Sequence, residues 1–288
     1  IVSGGVCMLG KLIRYDSKIQ MKFYSGVYMV MGVVALLAAI LKALQRKFEY
    51  ALVFQYGYQV TWLFCRVAAV VLVIGSVIYA VGFFRKNLFK DEGYFMHTLP
   101  VAAWQLFVSK LITCTIWIWI SIGVAVLGCM LGSLHVSLSF WNVMQESGIT
   151  ERSVFLYALP MLVLAIPAAL SQFYVSLAIG YTWKVQGAPV DRDILSVVAV
   201  VITYTAQQIV SVIALFGYLL VRCGNVFSPY LTKRLEAMFN GLNQTDSAEA
   251  LSSYVRGIFG IATVTMLVTG GVFCALSIWR MSRHLNME

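Results

Sequence analysis

Charged side chains are scarce in this sequence. Asp, Glu, Lys and Arg together make up 11% of the 288 residues, whereas hydrophobic residues make up 60%. Soluble globular domains contain about 25% charged residues and about half apolar ones. The composition therefore excludes a soluble domain of ordinary type and predicts a polytopic membrane protein.

Groups that catalyse reactions or bind metals are also few. Three histidines are present, far apart and without the spacing of metal ligands: His97, His135 and His284. Neither an HExxH motif nor a Ser-His-Asp arrangement is recognisable. The six cysteines include no CxxC pair, although Cys129 and Cys223 both lie near the predicted outer face and are candidates for a disulfide. We therefore expect no catalytic site, no metal site and no cofactor in this chain.

One nucleotide-binding motif is partly matched near the start of the sequence. Residues 5–11 read GVCMLGK and fit the pattern GxxxxGK. However, Leu12 replaces the hydroxyl residue that would bind magnesium, and no strand precedes the motif. Nucleotide binding is therefore not predicted in this chain.

Six long apolar runs predict six transmembrane helices. They cover residues 25–44, 57–84, 103–131, 154–183, 195–221 and 256–279. Before them, residues 1–24 combine apolar side chains with cations at helical spacing, which favours an amphipathic helix lying at the membrane interface. These cations are Lys11, Arg14, Lys18 and Lys22. The predicted fold class is an all-α membrane protein, with a single transmembrane domain over residues 1–288.

The cations are distributed unevenly between the two sides of the membrane. With both termini inside, twelve of the 21 Lys and Arg residues, including Lys110, fall in cytoplasmic segments and eight in outer segments. Because cytoplasmic loops are enriched in Lys and Arg, this count favours cytoplasmic termini, a cytoplasmic loop at 85–102 and an extracellular loop at 222–255. The net charge of +9 then indicates contact with the lipid bilayer rather than with nucleic acid.

The segment between the second and third apolar runs is rich in charged and aromatic residues. It reads FRKNLFKDEGY over residues 84–94, TLPV over 98–101 and SKL over 109–111. This pattern resembles the loop between spans two and three of bacterial ABC-2 type permeases. In that family the loop contains a coupling helix that docks on a separate ATPase.

The resemblance implies a permease with the architecture of type V exporters, working in the bacterial plasma membrane. Its partners would be an ABC ATPase subunit, which binds ATP and magnesium, and a second permease subunit that is either identical or related. The family favours export and leaves the cargo open. Coupling to the ATPase is assigned by resemblance to eight loop residues: Asp91, Glu92, Gly93, Tyr94, Phe95, Thr98, Leu99 and Pro100.

Few polar groups lie within the predicted spans. No acidic residue lies near the centre of a span, so any transport is expected to draw its energy from outside the chain. Arg66, in the second run, either lines an inner cavity or extends toward the nearer end of its span. Thr203, Gln207 and Ser211 recur every four residues in the fifth run. They form a polar line that faces either another helix or a substrate path.

Two other functions remain open from the sequence. One is a membrane enzyme acting on a lipid or isoprenoid substrate, which would need converging carboxylates or histidines. Asp91 and Glu92 come nearest to that requirement. The other is a membrane sensor or scaffold that does not transport and uses the same loop to bind a partner.

Overall fold

The computed structural model of the chain contains six long α-helices in the residues that it describes. These residues are 2–48, 52–89, 102–133, 152–182, 191–223 and 245–284. The helices are α1 (Val2–Lys47), α2 (Leu52–Phe89), α3 (Ala103–Ser133), α4 (Arg152–Thr182), α5 (Arg192–Cys223) and α6 (Thr245–His284). Each is long and apolar enough to cross a membrane. The prediction of an all-helical, multi-pass membrane protein is confirmed.

The helix boundaries agree with the apolar runs except at two places. Helix α1 continues without interruption over 46 residues, so residues 2–24 are not a separate interfacial helix but the first part of the same element as the predicted span. Helix α6 begins at Thr245, so the last part of the predicted extracellular loop 222–255 is helical. The amphipathic pattern of residues 1–24 includes a packed face, because Asp16, Gln20 and Tyr24 are all buried there.

The chain divides into two compact units, a division that the apolar runs did not reveal. Unit 1 covers residues 1–141 and contains α1, α2 and α3, whereas unit 2 covers residues 142–288 and contains α4, α5 and α6. Each unit is a bundle of three helices with its own contacts.

In unit 1, α1 and α3 run parallel and α2 runs antiparallel to both. Side chains of α1 meet side chains of α3 at a nearly constant separation of 93 or 94 residues, from the Asp16 region to Tyr28. On α2 the order is reversed, since Cys65 contacts the Gly128 carbonyl and Tyr58, earlier in the chain, contacts the Gly132 carbonyl.

Close packing in unit 1 depends on small residues and on stacked rings. A Cβ atom added at Gly128 would overlap the Met31 side chain, and one added at Gly132 would lie 3.0 Å from the Trp62 ring. The rings of Tyr24 and Trp117 stack with centroids 5.1 Å apart. Glycine at these two α3 positions therefore lets α1 and α2 each approach α3 closely.

In unit 2, α4 packs against both other helices. The Ser176 and Thr203 hydroxyls lie 2.7 Å apart and join α4 to α5. A Cβ atom added at Gly180 would overlap the backbone of Ser196, so these two helices are in near-direct contact at that point. On the other side of α4, Gly270 of α6 packs against Ala168, with 3.6 Å between the position of a Cβ and the Ala168 Cα.

Helix α5 has a well-defined start. The Asp191 carboxylate accepts a hydrogen bond from the backbone N–H of Asp193 at 3.1 Å, and its carbonyl accepts one from Ile194 at 3.0 Å. This is the geometry of an N-cap, in which a short polar side chain satisfies an N–H group of the first turn. This cap defines the first residue of α5.

Candidate functional site

A buried polar cluster lies at the end of unit 1 where α2 ends and α3 begins. Lys110 Nζ lies 2.7 Å from Asp16 Oδ1, and the two side chains are 1% and 0% exposed. The Ser109 hydroxyl donates to the second carboxylate oxygen, Asp16 Oδ2, at 3.3 Å. Both oxygens of the buried carboxylate therefore have partners, as a charged group in a medium of low dielectric constant requires.

The cluster joins all three helices of unit 1. Asp16 belongs to α1 and Lys110 to α3, and the Lys110 ammonium also lies 4.8 Å from the centroid of the Phe83 ring on α2. One turn farther along the bundle, Gln20 Nε2 donates to Cys114 Sγ at 3.4 Å. Movement of any one of these helix ends would disturb contacts to the other two.

Aromatic and aliphatic side chains on the parts of α2 and α3 that carry Phe83 and Lys110 are also buried. Phe84 and Leu88 on α2 and Leu106 and Phe107 on α3 are all between 0% and 2% exposed. The Phe84 and Phe107 rings meet at 90° with centroids 5.9 Å apart, in an edge-to-face arrangement. Exclusion of water strengthens the attraction between Lys110 and Asp16, and it also makes an unpaired member of the pair costly.

The predicted coupling loop connects two elements that are both fixed in this cluster. Helix α2 ends at Phe89, one residue after the buried Leu88, and α3 begins at Ala103, three residues before the buried Leu106. The coupling residues themselves lie outside the described part of the chain: Asp91, Glu92, Gly93, Tyr94, Phe95, Thr98, Leu99 and Pro100. Both attachment points of the loop thus lie beside buried residues of unit 1.

Arg66 lies on the exposed surface of α2. Its guanidinium carbon is 4.7 Å from the centroid of the Trp62 ring, one turn earlier on the same helix. It stands about 21 Å along the helix axis from Leu52, at 1.5 Å per residue. The ring face attracts the cation, so Arg66 has a partner on its own helix and does not need an anionic ligand to be accommodated.

The polar line of α5 separates into two parts. Thr203 is buried, and its hydroxyl is engaged with Ser176 on α4 and with the Ala199 carbonyl. Gln207 and Ser211 instead line a groove of about 240 Å³ between α5 and α6. The remaining lining is mostly apolar: Leu215, Ile258, Ile261, Ala262, Thr265 and Met266. Thr203 therefore faces another helix, whereas Gln207 and Ser211 face a groove.

Two expectations about cysteine and metal chemistry concern residues that the structure describes in part. Cys129 is a free thiol, and the side chain of Cys223 lies outside the described part of the structure, so the candidate disulfide stays a prediction. Within the described ranges, His, Cys, Asp and Glu side chains form no group of three that could hold a metal ion.

Sequence reasoning missed the Asp16–Lys110 pair. It placed Lys110 among the cations of the cytoplasmic face, whereas the side chain is buried, and it expected no role for Asp16. A signal was present, because Asp16, Gln20 and Tyr24 recur every four residues and continue toward the buried Met31 and Ala35. This stripe is one packed helix face, and the neighbouring cations of α1 obscured it.

The fold and the composition define the chain as an all-helical, multi-pass membrane protein. Comparisons with protein-family models, with curated proteins and with solved structures found no match.

Proposed function

We propose that this chain is the membrane-spanning permease subunit of an ATP-driven ABC transporter of the ABC-2 type, working as an exporter in the bacterial plasma membrane. The observation that carries this proposal is the anchoring of the loop at residues 90–101. Its two flanking helices end in a buried cluster that also holds α1 through the Asp16–Lys110 pair. A loop attached in this way is suited to pass force from a partner into three helices at once.

The proposed mechanism uses that attachment. ATP and magnesium bind to a separate ABC ATPase subunit, and closure of the ATPases pushes on the loop around Asp91 to Pro100. Because Lys110 holds Asp16 and also contacts Phe83, the parts of α1, α2 and α3 that carry these residues move together rather than slide past one another. A second permease subunit, identical or related, completes the pathway, and both termini of this chain face the cytoplasm.

Among the candidate path residues, the contacts favour Gln207 and Ser211. Their side chains line the groove between α5 and α6, which leaves polar groups accessible in an apolar wall. Thr203 serves packing between α4 and α5, and Arg66 packs on Trp62. The cargo would therefore pass along a face of unit 2 that offers amide and hydroxyl groups and little charge.

The two alternative functions, membrane enzyme and sensor or scaffold, differ from the proposed transporter in what the protein must bind or move. A membrane enzyme for lipid or isoprenoid substrates would act without an ATPase, and a sensor or scaffold would bind a partner without moving a substrate. Neither is favoured by a specific contact among the described residues.

The test is purification of the tagged chain from its native membranes, followed by reconstitution in proteoliposomes. The proposal expects a stoichiometric partner that hydrolyses ATP, together with ATP-dependent movement of a lipid-soluble or peptide cargo across the bilayer. If the chain transforms a lipid without any ATPase, or if the assembled complex hydrolyses ATP without moving any cargo class, the proposal fails.

A further inference from the structure

Two cavities follow one another along the surface between α1 and α2. The first has a volume of about 300 Å³ and the second about 330 Å³. Their lining residues on α2 recur every three or four positions from Ala68 to Asn87, so they lie on a single helix face. Those on α1 do the same from Tyr15 to Met31. The two cavities therefore form one groove along unit 1, which we call the α1–α2 groove.

The chemistry of the α1–α2 groove changes along its length. The half toward the middle of the helices is almost wholly apolar, with Phe23, Val71 and Gly75 among its lining residues. The half toward the end that carries the loop contains Lys86 and Asn87. One end of the groove thus suits a hydrocarbon chain, and the other suits an anion.

A stacked pair of rings marks the junction of the two halves. The Phe23 and Tyr79 rings are parallel within 1°, with centroids 3.9 Å apart. Phe23 belongs to the lining of the apolar half and Tyr79 to that of the polar half. Aromatic rings with a polar edge favour the level at which lipid chains meet their headgroups.

Two glycines keep the α1–α2 groove open. Gly75 lines the apolar half and Gly82 the polar half, and a Cβ atom added at either would meet nothing within 4 Å. Larger side chains at these positions would project into empty space within the groove. The glycines leave room for a ligand rather than for packing between helices.

The groove is longer than one lipid leaflet is thick, so it has room for a lipid of that leaflet. The distance along α2 from Ala68 to Lys86 is about 27 Å at 1.5 Å per residue. One leaflet, including its headgroup layer, is about 20–22 Å thick. The end that carries Lys86 is also the basic end of α1, where the exposed cations are Lys11, Arg14, Lys18 and Lys22.

We propose that the α1–α2 groove binds one anionic phospholipid. The ammonium group of Lys86 receives the phosphate, and one acyl chain lies across the Phe23–Tyr79 pair into the apolar half. The proposal rests on the change from apolar to cationic lining along a groove that has room for a lipid of one leaflet. It does not depend on ATP-driven transport, since a lipid could bind here in a protein of any function.

The test measures lipid retention by native mass spectrometry of the full-length protein. Phosphatidylglycerol and phosphatidylcholine with identical acyl chains are titrated onto the purified protein. The wild type is expected to bind phosphatidylglycerol at least about fivefold more tightly, the factor expected for one lysine near an anionic lipid. Lys86→Ala should lower that preference by about fivefold and leave binding of phosphatidylcholine unchanged.

Filling the apolar half separates the contribution of the acyl chain from that of the headgroup. Gly75→Leu and, as a second filling variant at an exposed position, Val71→Phe should weaken binding of both lipids. The matched controls are Gly57→Leu, at another open glycine of α2 outside the groove, and Lys47→Ala, at the far end of α1. Both controls should bind as the wild type does.

Three results would overturn the proposal. The first is a wild-type protein without preference for phosphatidylglycerol. The second is an equal loss in the control variants. The third is a change of oligomeric state in Gly75→Leu with lipid retention unaltered, which would assign the groove to a helix of a second protein.

Discussion

Lys110 Nζ lies 2.7 Å from Asp16 Oδ1, and the two side chains are 1% and 0% exposed. The residues are 94 positions apart in sequence and join the N-terminal half of α1 to the N-terminal half of α3. The contact therefore ties α1 to the helix that follows residues 90–101.

Removing one member of the pair should destabilise the protein strongly. Lys110→Met leaves the Asp16 carboxylate buried without its cation, which typically costs about 3–5 kcal/mol. The double variant Asp16→Leu with Lys110→Met should recover most of that loss, because no buried charge remains. Thermal unfolding of the purified protein in detergent measures both effects.

The control for the ion pair is Lys18→Met, at an exposed cation of α1. It should unfold at the wild-type temperature. If Lys110→Met is no less stable than this control, the pair does not hold α1 to α3.

Contact between α4 and α5 predicts a sharp effect of one added methyl group. Gly180→Ala would place a Cβ against the Ser196 backbone, which cannot move away as a flexible side chain could. We expect a loss of about 1–3 kcal/mol, the usual cost of overpacking. Gly271→Ala, where a Cβ meets nothing within 4 Å, is the matched control and should be nearly neutral. Equal unfolding temperatures for the two variants would contradict the observed approach of the helices.

The polar residues of α5 should respond differently to substitution. Thr203→Val removes the hydroxyl that lies 2.7 Å from Ser176 and should lower stability by about 1 kcal/mol, whereas Thr203→Ser should not. Gln207→Leu should leave stability unchanged and lower ATP-dependent export, because Gln207 faces a groove. Paired measurements of unfolding and export test this division. An unfolding defect in Gln207→Leu with normal export would assign Gln207 to packing instead.

The parts of the fold that were predictable from sequence are those set by local composition. An apolar run of about 20 residues is sufficient to indicate a span, and each predicted run coincides with a helix. The Asp16–Lys110 contact was not predictable in this way, since it depends on how α1 and α3 align over 94 residues. The division into two units likewise depends on contacts between helices, which hydropathy does not encode.

The candidate site was predictable to a similar extent. The position of the loop between α2 and α3 follows from the two apolar runs beside it, and its charged and aromatic residues are visible in the sequence. The separate surroundings of Thr203 and Gln207 are not, because both belong to one polar line of α5 and differ only in what lies opposite. Sequence spacing defines a helix face but not its neighbour.

The proposed orientation, with six membrane-spanning helices and both termini in the cytoplasm, makes a prediction about topology. Single cysteines introduced at Lys90 and Gly187 should react with an impermeant maleimide only from the cytoplasmic side, and a cysteine at Asn240 only from outside. The uneven distribution of Lys and Arg is the physical reason. Labelling of position 240 from the cytoplasm would contradict this arrangement.

The central claim is that the loop at residues 90–101 binds an ATPase, and one measurement tests it most directly. Glu92→Ala combined with Tyr94→Ala removes a carboxylate and an aromatic anchor that the resemblance assigns to that contact. Loss of a buried aromatic anchor costs about 2 kcal/mol or more, so binding should weaken at least about tenfold. The matched control is Glu49→Ala with Tyr50→Ala, the same pair of residue types in the connection between α1 and α2.

Capture of the ATPase by the membrane-inserted, monodisperse variants, quantified together with ATP-dependent export, gives the decisive comparison. The account predicts that the Glu92/Tyr94 double variant loses both association and export, while the Glu49/Tyr50 double variant retains both. Wild-type association and export in the Glu92/Tyr94 double variant would contradict it.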